Sequence, residues 1–164
     1  MEAAWPALTT LAARLEASAV GAWMRGSDWA YPVVNLLHLL GLVLLVGSML
    51  LLDLRLLGAR RLFPLEEVSA TLTPFAVAGL LVLLPTGALL FAADAAPLLQ
   101  NRLMQLKLVL IGVGIVNALL FRRLWRNRLA DWDWEPPAAG RLQAAGSLLC
   151  WLAAASLGRL IAYG

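Results

Sequence analysis

The 164-residue sequence is poor in charged residues, cysteine and histidine, and each shortage excludes a class of protein or site. Charged residues make up 14% of the chain, whereas roughly 25% is typical of soluble domains. The single cysteine, Cys150, excludes a disulfide bond within the chain, and the lack of a CxxCH sequence excludes the usual covalent attachment of a c-type haem. No P-loop, HExxH sequence or nucleophile–His–acid set is present to indicate a common hydrolase or nucleotide-binding protein.

Apolar residues dominate what remains. They make up 62% of the sequence, and the mean hydropathy is +0.80. This composition predicts a single integral membrane domain, residues 1–164, whose main partner is the lipid bilayer. The basic residues flank the apolar runs instead of lining one polar face, so nucleic-acid binding is not expected. The sequence allows a homo-oligomer but does not specify one.

The longest charge-free run near the N-terminus extends over 24 residues, from Trp29 to Leu52. A helix of this length can cross a hydrocarbon core of roughly 30 Å. We predict an all-α fold, a polytopic membrane four-helix bundle with an amphipathic N-terminal helix (residues 7–24) lying at the interface. The predicted spans cover about 31–57, 68–93, 102–122 and 140–161. Short linkers make successive spans antiparallel neighbours.

The distribution of arginine predicts the orientation. The linkers after spans one and three, with their flanks, hold Arg55, Arg60, Arg61, Arg122, Arg123, Arg126, Arg128 and Arg141, whereas the other side holds Arg14, Arg25, Arg102 and Arg159. Because cytoplasmic loops carry an excess of Lys and Arg, the arginine-rich side should be cytoplasmic. Both termini then face the periplasm of a Gram-negative inner membrane.

The only histidine, His38, lies inside the first span. An ionisable group within a membrane span is a candidate functional residue by default. Counting from the outer ends of the helices places His38 roughly 10 Å inward, Lys107 about 8 Å and Arg159 about 6 Å. Three spans therefore carry an imidazole or a cation at similar depth, and we expect Lys107 and Arg159 to point inward, toward His38.

Neighbouring residues extend this candidate site. Asn35 lies on the same helical face as His38, Met104 lies one turn before Lys107, and Gly41 leaves room for a flat ligand or a close helix crossing. A b-type haem needs one neutral imidazole for its iron and cations for its propionates. We therefore predict haem b with His38 as the metal ligand and with Lys107 and Arg159 at the propionates. The sixth position of the iron would be open, or filled by Met104 or by neutral Lys107.

Other functions stay open. The haem protein would transfer electrons to a membrane or periplasmic redox partner, or would oxidise a porphyrin-like substrate. Copper is a second candidate, because Cu(I) prefers imidazole and thioether ligands such as His38 and Met104. A third hypothesis is a cofactor-free accessory or assembly subunit, in which His38 only hydrogen-bonds a neighbouring helix.

Several other residues have predicted structural roles. Asp53 is expected to pair with Arg122 or Arg123 at the cytoplasmic end of the first span, and the linker residues Trp132 and Trp134 are expected at the membrane interface.

Within the spans, Pro85 predicts a kink at which the Thr86 hydroxyl bonds backbone groups. Asn117 should form an interhelical hydrogen bond opposite a small residue such as Gly47 or Ser48.

Two segments carry a family resemblance. The first span, N-L-L-H-L-L-G followed by DLRLLG, and the third, K-L-x-L with a later N-A-L-x-x-R-R, resemble small bacterial membrane proteins of an uncharacterised four-helix family. They also resemble, more distantly, CopD copper-resistance membrane domains and HemJ-type protoporphyrinogen oxidases. The resemblance covers about residues 29–163. It implies that His38 is the haem or metal ligand, that Lys107 is the essential third-span lysine, and that Gly41 or Gly47 is the glycine after the histidine.

Overall fold

A computed structural model describes residues 4–59 and 63–161, and all regular structure in those residues is helical. The helices are α1 (Ala4–Glu16), α2 (Ala19–Gly26), α3 (Ala30–Leu56), α4 (Leu65–Ala93), α5 (Ala95–Gln100), α6 (Arg102–Trp125) and α7 (Ala138–Leu160), with a 3₁₀ turn at Arg126–Arg128. The prediction of an all-α fold is confirmed. Arg60, Arg61 and Tyr163, which entered the orientation and depth counts, lie outside the described residues.

Three of the helices are long and apolar enough to cross a membrane: α3, α4, and α6 continued through the 3₁₀ turn. Helix α7 has 23 residues, but Arg141, Gln143 and Arg159 lower its hydropathy and it is not among the three. The described residues therefore contain three helices that could cross a membrane, which is consistent with a membrane protein. The fourth predicted span forms a long helix, but this helix is less hydrophobic than the three candidates.

The predicted interfacial helix, residues 7–24, is two helices and not one. The chain breaks after Glu16, and the Ser18 side chain caps α2 by accepting a hydrogen bond from the Gly21 N–H. Gly21 lies so close to the Glu16 and Ala92 carbonyls that a Cβ atom there would collide with both. The break thus lets α2 turn and pack onto α4.

Two hydrogen bonds from one side chain fix this N-terminal pair. The Arg25 guanidinium donates to the Ala93 carbonyl and to the Glu16 carbonyl, both at 2.8 Å. The Glu16 carboxylate accepts from the Ala96 N–H at 3.0 Å, near the start of α5. We call the end of the molecule where α1, α2 and α5 meet the α5 end, and the opposite end the Arg55 end.

The four long helices pack in the order α4–α3–α7–α6, with the α3–α4 and α6–α7 contacts the most extensive. Gly41 and Gly79 bring α3 and α4 together, since a Cβ atom on Gly79 would lie 2.7 Å from the Gly41 carbonyl oxygen. Of the two roles predicted for Gly41, a close helix crossing is the one observed. The α3–α7 contact joins the α3–α4 pair to the α6–α7 pair.

The α6–α7 contact contains polar bonds as well as apolar packing. Asn117 Nδ2 donates to the Gln143 carbonyl, and Gln143 Nε2 donates to the Asn117 carbonyl, each at 3.3 Å. The Cys150 thiol donates to the Leu110 carbonyl at 3.0 Å. The interhelical bond predicted for Asn117 therefore exists, but its partner is Gln143 of α7, and not a contact opposite Gly47 or Ser48.

The linker between α6 and α7 enters the core at the Arg55 end. Trp132 is 2% exposed, and its indole N–H donates to the Leu56 carbonyl at 3.0 Å. Only Trp134, which is 87% exposed, is available to an interface as predicted; the prediction for Trp132 is wrong. Gly140 leaves the space that the Trp132 ring occupies, because a Cβ atom at residue 140 would collide with that ring.

Charged residues at this end also pair differently from the prediction. The Arg55 guanidinium forms two parallel bonds to the Asp133 carboxylate, at 2.8 and 2.6 Å. Arg122 and Arg123 are exposed, and Asp53 is buried, facing α7. The linker supplies the acidic partner, and spacing along the helices alone could not have identified it.

Candidate functional site

Each of the four long helices places one residue at the same level near the α5 end. His38 of α3 hydrogen-bonds Thr86 of α4, Lys107 of α6 lies against Gly158 of α7, and Lys107 interacts electrostatically with His38. Antiparallel packing explains the common level, because His38 is eight residues from the start of α3 and Thr86 is seven from the end of α4. The sequence-predicted pair His38 and Lys107 is therefore brought together.

The contact between His38 and Thr86 determines which imidazole nitrogen carries the proton. His38 Nδ1 lies 2.9 Å from Thr86 Oγ1, and the Thr86 hydroxyl donates its own proton to the Val82 carbonyl at 2.6 Å. A hydroxyl has a single proton to donate, so Oγ1 accepts from His38 Nδ1–H. The Nε2 lone pair is then available to a metal or to a proton donor.

Thr86 was assigned a backbone role at Pro85, and its link to His38 was missed. Pro85 lies inside α4 and lacks an N–H, which removes the partner of the Leu81 carbonyl. The Thr86 hydroxyl bonds the carbonyl of the next residue, Val82, and not the one that Pro85 leaves unpaired. The depth count applied to His38 would have found Thr86, had it been extended to hydroxyl side chains.

Lys107 is half-buried, and its side chain packs against α7 at Gly158. Its ammonium nitrogen lies 3.0 Å from where a Cβ atom on Gly158 would stand, so the glycine accommodates the lysine side chain. No carboxylate among residues 4–59 and 63–161 forms an ion pair with it. A partly buried cation without a counter-ion is costly, which makes an anionic ligand favourable here.

The other predicted site residues differ in how deeply they are buried. Met104 is half-buried on α6, Asn35 is exposed on α3, and Gly41 is buried in the α3–α4 crossing. Arg159 is exposed, whereas Lys107 is half-buried.

The shape around His38 restricts where a ligand can bind. A Cβ atom on Gly87 would lie 3.2 Å from Cε1 of the imidazole, so this glycine leaves room for the ring. One turn further in, the α3 and α4 backbones touch at Gly41 and Gly79, and no planar ligand can enter between them. A planar ligand of His38 therefore cannot extend between α3 and α4 toward that crossing.

Metal ligation by protein side chains alone has little support in the described part of the chain. No group of three or more His, Cys, Asp or Glu residues there could hold an ion.

Two open depressions lie at the α5 end, near the site but not lined by His38. The larger is about 630 Å³, and its lining combines polar and apolar residues of α5 and α6: Gln100, Arg102, Gln105, Leu106 and Val109. The smaller, about 450 Å³, is lined by Asp94, Pro97, Leu98, Gln100, Asn101 and Ile161.

The chain belongs to a family of unknown function, DUF6644, whose profile matches residues 16–164. No curated protein and no solved structure matches it. No link to CopD domains or to HemJ-type oxidases is therefore shown. A functional assignment has to rest on the residues and their geometry.

Proposed function

We propose that this protein binds a b-type haem near the α5 end of the helices, with His38 Nε2 as axial ligand, and transfers electrons. The observation that carries the proposal is the Thr86 hydrogen bond, which holds the imidazole with Nδ1 protonated and Nε2 available. A metal-ligating histidine in proteins almost always has its second nitrogen bonded in this way.

Lys107 supports the same ligand. It is half-buried, interacts electrostatically with His38 and has no carboxylate partner in the described residues. A haem propionate would supply the missing negative charge. When bound, haem supplies reversible one-electron chemistry; His38 would hold the iron, Thr86 would orient His38, and Lys107 would bind one propionate.

The remaining predicted ligands have unequal support. Met104 is half-buried one turn from Lys107, so it remains the candidate for a sixth ligand. The exposed Arg159 suits a propionate at the membrane surface less well than Lys107 does. Asn35 is exposed, which favours solvent or lipid headgroups over a ligand as its contact. The redox partner would be a membrane or periplasmic electron carrier, and oxidation of a porphyrin-like substrate is the related alternative.

The test is the absorption spectrum of the protein purified in detergent, as isolated and after addition of hemin. We expect a Soret band that His38→Ala removes or strongly shifts. Thr86→Val keeps the side-chain shape but removes the acceptor of Nδ1–H, and should weaken haem binding by roughly 10–100-fold. The exposed threonine on the same helix, Thr71, provides the matched control, and Thr71→Val should leave haem binding unchanged.

The Lys107 assignment has its own control. Lys107→Gln should lower haem affinity without changing the axial-ligand spectrum, whereas Arg159→Gln should have the smaller effect. Wild-type protein that binds stoichiometric Cu(I) but no haem would replace the proposal with copper handling. Binding of neither would favour a cofactor-free accessory subunit.

We further propose four membrane crossings, with α7 as the fourth and both termini periplasmic. Helix α7 packs along α6, from the Gln143–Asn117 bonds to Gly158 beside Lys107. One of the polar residues of α7, Gln143, faces α6 and not lipid, because it forms hydrogen bonds with both Asn117 and Trp125. A phosphatase fused after residue 164 should be active and one fused after residue 135 inactive. Equal activity of the two fusions would show that α7 does not cross.

A further inference from the structure

A buried carboxyl group lies at the Arg55 end, about 22 Å along α3 from His38. Asp53 is 2% exposed, and its Oδ2 has no hydrogen-bond partner among the described residues. The Ser147 side chain of α7, 3% exposed, lies within reach of the carboxyl group, and its Oγ has no other hydrogen-bond partner among the described residues. Two buried polar groups that have only each other as partners therefore meet where α3 packs on α7.

The charged groups around Asp53 are engaged elsewhere or exposed. On α3, the Arg55 guanidinium binds Asp133 and the Phe63 carbonyl. On α7, Arg141 is exposed and donates to the Leu57 carbonyl. The charged residues at the same end of α4 and α6 are exposed: Glu66, Glu67, Arg122 and Arg123. Within the described chain, no cation faces the Asp53 carboxyl group.

An ionised carboxylate buried without a cation is far more costly than a neutral acid that is hydrogen-bonded. The surroundings of Asp53 are apolar, since the neighbouring Leu52 and Leu56 belong to a buried cluster with Leu65, Trp132 and Ala144. A neutral carboxylic acid has one O–H donor as well as acceptor oxygens, which matches a serine hydroxyl that can do both.

We propose that Asp53 is a proton-binding site, whose carboxylic acid hydrogen-bonds Ser147 and holds α3 against α7. This contact joins the α3–α4 pair to the α6–α7 pair. Loss of the proton would place a negative charge between the two pairs and weaken their association. Proton binding at Asp53 thus sets how tightly the two halves of the molecule pack.

The test is infrared difference spectroscopy on the whole protein in detergent at neutral pH. The difference spectrum obtained by subtracting Asp53→Asn from wild type should show the C=O stretching band of a protonated carboxyl group. Asp133 is the matched control, because its carboxylate is paired with Arg55; wild type minus Asp133→Asn should show only carboxylate bands. Carboxylate bands alone in the Asp53 difference would overturn the proposal.

Ser147→Ala provides a second measurement that does not depend on the folding of the Asp53 variant. Loss of the serine partner should shift the protonated-carboxyl band to higher frequency, and an unshifted band would contradict the contact with Ser147. Replacing Na⁺ by K⁺ should change neither the band nor thermal stability. Sodium-dependent stability would indicate a carboxylate that binds a cation, against the proposal. None of these outcomes depends on haem.

Discussion

The variant Gly79→Ala should be less stable than the variant Gly47→Ala. A Cβ atom on Gly79 would lie 2.5 Å from the Leu45 nitrogen and 2.7 Å from the Gly41 oxygen, whereas a Cβ on Gly47 meets nothing within 4 Å. Both obstructing atoms belong to the α3 backbone and cannot rotate away. Restoring an ordinary contact of 3.4 Å requires a separation of about 0.9 Å between helices that are otherwise close-packed.

The two variants together isolate the steric effect. Replacing glycine by alanine within a helix stabilises it by roughly 1 kcal/mol at either position, so this gain cancels in the comparison. Overpacking costs about 1–3 kcal/mol, and Gly79→Ala should therefore be less stable than Gly47→Ala by that amount. The assay is reversible unfolding by SDS in mixed micelles, followed by tryptophan fluorescence. Equal free energies of unfolding for the two variants would refute the close crossing.

Three further variants address other contacts. Trp132→Phe leaves a buried carbonyl without its indole donor, and should lower the free energy of unfolding by about 1–3 kcal/mol in the same assay. Arg25→Gln removes the bonds that fix α2 to α4, so amide hydrogen exchange should accelerate in α1 and α2 while α3 stays unchanged. Gly158→Ala should displace Lys107 and weaken haem binding, whereas Gly112→Ala, with open space around it, should have no effect in the same titration.

The sequence predicted the long helices closely because apolar length decides them. The first predicted span, 31–57, corresponds to the helix Ala30–Leu56, and the second, 68–93, corresponds to the helix Leu65–Ala93. The short elements were less predictable. The break at Ser18 depends on a side-chain cap, and the burial of Trp132 depends on a contact with α3 that is 76 positions away in sequence. Hydropathy averaged over a window carries neither kind of information.

At the candidate site, the sequence gives the depth of a residue along its helix but not the direction of its side chain. Counting residues along each helix gives depth, which placed His38 and Lys107 at a common level. It does not give the direction of a side chain, and adjacent helical residues differ by about 100° in direction. Gly158 faces Lys107, while its neighbour Arg159 is exposed. The helical face of α7 follows from its packing on α6, which a single sequence does not reveal.

The order of the helices gives the proposed ligand a structural role. His38 and Thr86 belong to the α3–α4 pair, whereas Lys107 belongs to the α6–α7 pair, and the two pairs are joined through α3 and α7. A ligand that binds both His38 and Lys107 would therefore connect the pairs at the α5 end. Hemin at 100 times its Kd should stabilise the folded protein by about 2.7 kcal/mol. Lys107→Gln should lose much of this stabilisation, measured by SDS unfolding with hemin at a fixed concentration, while Arg159→Gln keeps it. If both variants retain the full stabilisation, the ligand does not bridge the pairs through Lys107.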